Sequence, residues 1–417
     1  MYIYNMETKM LIVEKHIIDK NHKQWKTIDN LCLLSKNLYN RALFLINEHY
    51  EKECKFLRYS KLDKYIRETD KELYCALPNN TSQRIIIKLD QNFLNFFAAL
   101  RSWKKDKSKF LGCPRPPKYK EKNGRNLLIF TTRQAKIKEG YIHFPKRTGL
   151  QPIKTNVKKL CLVEIVPQAS CYIVSIMYEK EILDHKLNKD NYLGVDLGIN
   201  NLATITSNQP GLSPILVNGR ILKSINSYYN KKKAKLQSSL EKNHKKKTSN
   251  RIKKLALKRN NKIEYYMHHV SKFIVTHCIQ NDISNIVIGY NEGWKQEVNM
   301  SRKNNQNFTM IPFLKLINQI KYKAKLNSIE VIEMEESYTS KCSALDLESI
   351  ERHEEYIGKR VKRGLFQYSK GLINADVNGS LNILRKVIGN DFINLVNIGC
   401  VSQPVKIDFS QTRAILS

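Results

Sequence analysis

The 417-residue sequence predicts an α+β multidomain chain in which a small β unit carries a helical insert and an α/β layer domain follows. Three observations lead there. Apolar residues recur at three- and four-residue steps between about 21 and 107, short β-rich runs fill the next stretch, and from Tyr192 onward strands alternate with helices. A chain of this length also exceeds what one hydrophobic core usually organises.

The first element is a short apolar stretch from Met10 to Ile18. Leu31, Leu34, Leu38, Ala42 and Leu45 form a helical stripe, and Ile85, Leu89, Phe93, Phe96 and Leu100 form a second one after the break at Pro78-Asn79-Asn80. The segment Gly112-Cys113-Pro114-Arg115-Pro116-Pro117-Lys118-Tyr119-Lys120 cannot continue a helix, because its prolines lack donors and fix φ, so it marks a boundary. Tyr141 to Phe144, Leu160 to Val166 and Cys171 to Tyr178 read as half-buried antiparallel strands of a small barrel or sheet. The β unit therefore takes residues 1–20 and 108–185, with the helical segment 21–107 inserted after its first strand.

The α/β domain takes 186–390, with strands at Tyr192 to Leu197, Leu202 to Thr206, Ile286 to Ile288 and Glu330 to Ile332. A basic helical insertion, 221–280, interrupts it. Residues 391–417 lack periodicity and are assigned to a C-terminal tail.

Charge narrows the function. The chain carries 72 Lys+Arg against 38 Asp+Glu, a net +34, a field that attracts polyanions and makes nucleic acid the leading partner. Within the basic insertion, Lys231-Lys232-Lys233, Lys245-Lys246-Lys247 and the run from Arg251 suit a surface that tracks phosphates, as do Lys118, Tyr119 and Lys120 after the prolines. The nine cysteines are scattered without a CxxC pair, which reads as reduced thiols. No run approaches the ~18 apolar residues of a membrane span. A soluble cytoplasmic protein is expected, associated with the nucleoid if the source is prokaryotic, with no membrane partner.

Two segments carry chemistry. Tyr192-Leu193-Gly194-Val195-Asp196-Leu197-Gly198-Ile199-Asn200-Asn201 places a carboxylate on an apolar strand, where it binds a metal or caps a turn. Ile373-Asn374-Ala375-Asp376-Val377-Asn378-Gly379-Ser380 opens a helix at Asp376, which could equally serve as its cap. Metal-assisted phosphodiester cleavage uses two ions ~3.5–4 Å apart and needs further acidic ligands. Glu335 and Glu336 at the end of the strand from Glu330 are the candidates, and alternation along a strand sends them to opposite faces, so one should reach the metals.

Taken together, Gly-Val-Asp-Leu-Gly-Ile-Asn-Asn-Leu-Ala (194–203), Glu-Ser-Tyr-Thr-Ser-Lys (336–341) and Asn-Ala-Asp-Val-Asn-Gly-Ser (374–380) resemble, in order, the three RuvC-like nuclease motifs of the transposon-encoded TnpB family. The similarity extends through 77–120 and through 286–306 with Trp294-Lys295-Gln296. It implies a wedge-type β-barrel with a helical recognition insert, then a RuvC-like domain of ribonuclease H type. It also implies a guide RNA from the transposon end, two Mg²⁺ ions, and cutting of double- or single-stranded DNA beside a short target-adjacent motif, with guide pairing supplying most sequence specificity.

By the same resemblance Asp196 matches the first catalytic aspartate and Asp376 the last. The commoner pattern has a glutamate after the strand equivalent to Ile286-Val287-Ile288, where this chain has Gly289. The chain is similar instead to the subgroup, shared with Fanzor relatives, whose glutamate has moved to just before Tyr-Thr-Ser-Lys. Glu336 is then the expected ligand, with Glu335 in reserve and Glu292 third. Relatives often hold zinc on two cysteine pairs between the second and third motifs; Cys342 stands alone there, so no structural zinc is expected, and His353 is read as a surface residue. The alternatives are a nuclease-inactive, RNA-guided DNA-binding protein and, further off, a transposase.

Overall fold

Strand β1 (Lys9–Asp19) leads straight into four helices, α1 (Trp25–Glu53), α2 (Tyr59–Thr69), α3 (Lys71–Cys75) and α4 (Asn79–Lys105). They form because buried residues repeat at helical spacing, Ile28, Leu31, Cys32, Ser35, Leu38, Tyr39 and Ala42 in α1, and Ile85, Ile86, Leu89 and Phe93 in α4. Pro78 stands immediately before α4. The buried Asp90 carboxylate of α4 is matched by Arg58 Nε at 3.0 Å and by the Tyr59 amide at 3.1 Å.

The chain then continues as β2 (Leu128–Thr131), β3 (Lys136–Lys138), β4 (Tyr141–His143), β5 (Ile153–Lys154), β6 (Leu160–Pro167) and β7 (Cys171–Glu181). These give a four-stranded sheet ordered β1-β7-β6-β2 and a three-stranded sheet β3-β4-β5. One apolar core joins the helices to both sheets through Ile28, Leu89, Phe130, Ile142, Val163 and Val174.

This computed structural model describes residues 8–244, 247–291, 293 and 301–409, with backbone alone at 243, 244, 302 and 303. Lys245, Lys246, Glu292 and the Trp294-Lys295-Gln296 segment lie outside the described residues. The chain divides into two units, Lys9–Lys180 and a second made of Glu181–Ser417 with the first eight residues. The architecture is mixed α+β. No described helix is long and apolar enough to cross a membrane.

The second unit is built on one six-stranded sheet. Its elements are β8 (Tyr192–Asp196), β9 (Asn201–Ser207), β10 (Ile215–Asn218), α5 (Arg220–His244), α6 (Asn250–Gln280), β11 (Asn285–Gly289), α7 (Arg302–Thr309), α8 (Phe313–Lys325) and β12 (Glu330–Met334). There follow a small three-stranded sheet, β13 (Lys359–Lys362), β14 (Leu365–Tyr368) and β15 (Gly371–Asn374), then α9 (Ala375–Ile388), α10 (Ile398–Ser402) and β16 (Val405–Ile407). The large sheet is ordered β12-β11-β8-β9-β10-β16, antiparallel among β8, β9 and β10 and parallel at β8-β11, β11-β12 and β10-β16.

Strand alternation gives this sheet two cores. Ile286 and Ile288 pack with α6 and α8, whereas Val287 between them packs with α9 and the small sheet. The basic insertion is two helices, α5 and α6, and not one continuous stretch.

The segment 391–417, assigned above to a tail, belongs to this unit as far as Phe409. Phe392, Ile393 and Val401 are buried beside α9, and Val405–Ile407 adds a strand next to β10. These short apolar contacts follow no period, so pattern reading has nothing to register there.

Candidate active site

Three parallel-aligned strands finish at the same edge of the large sheet. β8 ends at Asp196, β11 at Gly289 and β12 at Met334, with Val195 opposite Ile288 and Gly289 opposite Met334. In an open α/β sheet that carboxyl edge is where ligands bind. Val195 is buried in the core on the α6 side, so Gly194 and Asp196 face α9. A Cβ at Gly194 would lie 2.7 Å from Leu384 Cγ and 2.8 Å from the Ser380 carbonyl, so glycine there lets α9 approach the strand. The close approach brings Gly379 of α9 against Asp196, where a Cβ would meet the carboxylate Oδ2 at 2.9 Å.

Asp376 sits in the first turn of α9 but does not cap it. Asn374 Oδ1 caps the helix instead, accepting from the Asp376 amide at 2.9 Å and the Val377 amide at 3.3 Å. The Asp376 carboxylate is thereby left to other partners. Its Oδ2 accepts from Asn201 Nδ2 at 2.8 Å, and its Oδ1 lies 3.4 Å from Arg360 Nη2. Asp196 caps no turn either, since no group among the described residues donates a hydrogen bond to it.

Glu336 lies two residues beyond the end of β12, and it occupies space that a side chain at position 289 would need. A Cβ on Gly289 would stand 2.6 Å from Glu336 Oε1 and 2.7 Å from its Cγ. Glu336 Oε1 is buried without a hydrogen-bond partner. Glu335, by contrast, is exposed and takes a hydrogen bond from the Ser337 hydroxyl.

The electrostatics ties the three carboxylates together. Burial, then the charges of Glu336 and Asp376, raise the proton affinity of Asp196, and Arg360 opposes them. Burial pushes Glu336 up to about 7, with the Lys386 charge pulling the other way. Among the described residues no three Asp, Glu, His or Cys side chains converge tightly enough to ligate one ion as they stand, so the coupling acts through space. The set nonetheless fits divalent cations. Hard oxygen donors, mutual repulsion and an unpartnered buried carboxylate oxygen are what an incoming cation relieves.

Sequence reading missed Arg360, because a lone arginine in a polar hairpin carries no pattern. β13 places it opposite Phe366, itself buried in the core beside α9. Asn201 was within the first motif, yet only the fold shows it holding Asp376.

The loop from Thr339 to Gly358 is organised by buried polar contacts. Asn378 Nδ2 donates to the Cys342 carbonyl at 2.9 Å, Arg385 Nη2 donates to the Glu348 carbonyl at 2.9 Å, and the Glu348 carboxylate accepts from the Ser343 and Ile357 amides. Cys342 is buried with its thiol on the Glu351 carbonyl, and His353 bonds Ser349 at the surface.

The candidate nucleic-acid residues are dispersed. In the first unit Lys118, Tyr119 and Lys120 are exposed on an extended strip tied to α1, where Asn40 Nδ2 donates to the Lys120 carbonyl at 2.9 Å and Lys120 Nζ lies over the Tyr39 ring. In the second unit Lys231, Lys232, Lys247 and Arg251 are exposed and Lys233 is half-buried. Lys232 and Lys233 lie over the rings of Tyr228 and Tyr229, giving α5 a face of cations interleaved with aromatics.

Comparison with known proteins gives consistent likenesses. Residues 175–295 match the OrfB_IS605 profile, described as probable transposase, and residues 313–383 match the Cas12f1-like TNB domain. Over 405 residues, 93% of this chain and 75% of the relative, it is 22% identical to TnpB-like protein ORF457 of Acidianus two-tailed virus. The chain is similar to TnpB-type proteins along most of its length. It is also 22% identical to the putative RNA-guided DNA endonuclease InsQ of Escherichia coli K12, over 83% of its own length and 85% of that protein. It is 29% identical to the CRISPR-associated endodeoxyribonuclease Cas12f2 of a Micrarchaeota archaeon, a match spanning 52% of this chain but only 41% of that relative. Among solved structures, the Cas12f1–sgRNA–target DNA complex shares the fold at 15% identity and a TM-score of 0.51, covering 86% of this chain and 82% of that one.

Proposed function

We propose that this chain is an RNA-guided DNA endonuclease of the TnpB family whose catalytic carboxylates are Asp196, Glu336 and Asp376. The observation that carries the reading is the exchange at position 289, where glycine clears the space into which Glu336 projects, beside Asp196. This supports membership of the subgroup with the relocated glutamate. The strand order β12-β11-β8-β9-β10 supports reading the second unit as a RuvC-like domain of ribonuclease H type. The first unit is read as the wedge-type barrel with its helical recognition insert.

When bound, two Mg²⁺ ions would be held by Asp196, Glu336 and Asp376 and would supply the charge that activates water and stabilises the leaving oxygen. The chain's own groups arrange the site. Asn201 fixes the rotamer of Asp376, and Arg360, 3.4 Å from the same carboxylate, can turn its guanidinium to a phosphate oxygen of the scissile strand. The cationic and aromatic face of α5, with Lys231, Lys232, Lys233, Lys247 and Arg251, and the Lys118-Tyr119-Lys120 strip would hold guide and target backbones. The 339–358 loop needs no zinc in this reading, since buried side chains hold it.

The test is Mg²⁺-dependent cleavage of a DNA library with randomised flanks, by protein purified with co-expressed transposon-end RNA. Guide-directed cutting that vanishes in Asp196→Ala supports the proposal. Guide-directed binding without cutting by the wild type would make this a programmable DNA-binding protein instead.

A further inference from the structure

A glutamate on a strand is aligned by the sheet's own ladder, but β12 ends at Met334 and leaves Glu336 on a turn. The turn is also locally costly, since Tyr338 takes φ 64°. Its main chain is held from outside. Lys386 Nζ donates to the carbonyls of Glu335 at 2.9 Å and Ser337 at 2.8 Å, the two residues flanking Glu336. Asn291 Oδ1 accepts from the Glu336 amide at 2.8 Å, and the Thr339 hydroxyl donates to the Glu336 carbonyl at 2.8 Å. Asn382, fully buried, donates from Nδ2 to the Thr339 carbonyl at 2.9 Å and the Cys342 carbonyl at 2.7 Å.

Asn382 and Lys386 are four residues apart and so neighbours on α9, the helix whose first turn carries Asp376. Another face of that helix, with Gly379 and Ser380, packs on the strand of Asp196. One helix therefore touches all three carboxylate-bearing segments.

Resting on the reading of Glu336 as a cation-binding carboxylate, we infer that Lys386 and Asn382 are positioning residues that peg the Glu336 turn to the helix of Asp376 and so fix the spacing of the two carboxylates. Neither is needed to touch substrate. A carboxylate moved from a strand to a turn has lost the sheet's alignment, and these two side chains replace it. Groups that orient the ligands of a metal commonly govern its affinity by ten- to a hundredfold.

The experiment compares wild type, Lys386→Met, Lys386→Arg and Glu336→Ala, each loaded with guide RNA. Cleavage is titrated with Mg²⁺, Ca²⁺ binding is measured by calorimetry, and guide affinity and Tm are recorded alongside. Lys386→Met should raise the half-saturating Mg²⁺ concentration and weaken Ca²⁺ binding by about tenfold, with guide affinity and Tm unchanged. Lys386→Arg, which keeps donors and charge, should recover most of the loss. A Mg²⁺ titration of Lys386→Met that overlays the wild type would overturn the inference, as would a loss accounted for by a lowered Tm. Normal cutting by Glu336→Ala would sink the reading of Glu336 itself, whereas a dead Glu336→Ala beside an unaffected Lys386→Met would sink only the role of Lys386.

Discussion

Replacing Gly289 with alanine tests the exchange on which the site depends. The added methyl would stand 2.5 Å from Ile383 Cδ1, 2.6 Å from Glu336 Oε1 and 2.7 Å from Glu336 Cγ. Unstrained heavy-atom neighbours lie near 3.5 Å, so about 1 Å of movement is required. Ile383, itself on α9, is fully buried, which leaves the Glu336 side chain as the softer neighbour. Overpacking of this kind costs about 1–3 kcal/mol of stability. A displacement of ~1 Å in a positioned catalytic group costs about 100-fold in rate. Single-turnover cleavage with guide and Mg²⁺ in excess, run well below Tm, should therefore slow by about two orders of magnitude while guide RNA still binds. A rate within twofold of wild type would refute the claim that Glu336 works in the space position 289 leaves open.

Other perturbations address the remaining parts. Burial pushes Glu336 up to about 7 and, with its charged neighbours, raises Asp196, so both keep protons that the unfolded chain would have released. Metal-free protein should then lose stability as pH climbs from the ordinary carboxylate range through 7, and cation binding must displace protons. The Mg²⁺ requirement should accordingly fall as pH rises across that range; a requirement indifferent to pH would contradict it. Neutralising Lys231, Lys232, Lys247 and Arg251 should reduce the salt dependence of nucleic-acid binding by about one unit of slope for each phosphate no longer neutralised. An unchanged slope would return these residues to a merely solvated surface. A zinc chelator should leave Tm unmoved, whereas Arg385→Ala should cost roughly 2–4 kcal/mol by orphaning the carbonyls it serves; one equivalent of bound zinc per chain would count against that.

The α/β core was legible where its strands are apolar runs. Leu193-Gly194-Val195 and Ile286-Val287-Ile288 announce themselves by composition, and a carboxylate ending such a run, as Asp196 does, is rare enough to mark. Alternation also separated Glu335 from Glu336 in advance, and the structure leaves Glu335 exposed while burying the unpartnered oxygen of Glu336. The helix cap was not legible, since Asn374 and Asp376 are equally good caps and only the fold assigns the role to Asn374. Arg360 and Lys386 were invisible for a different reason. Each acts on residues distant in sequence, Arg360 on Asp376 and Lys386 on the main chain about 50 residues earlier, and single cations in a chain of net +34 carry no local signal. The contribution of residues 391–409 to the sheet escaped pattern reading because a three-residue strand is too short to show a period.

The most direct measurement of the central claim is guide-directed cleavage by Glu336→Ala beside Glu335→Ala, each prepared with the same RNA. The two residues are sequence neighbours, so bulk charge and chain position are matched, and only their placement differs. Glu336→Ala should bind guide and target but not cut, while Glu335→Ala should cut like wild type. Cutting by Glu336→Ala, or loss of cutting in Glu335→Ala alone, would contradict that claim.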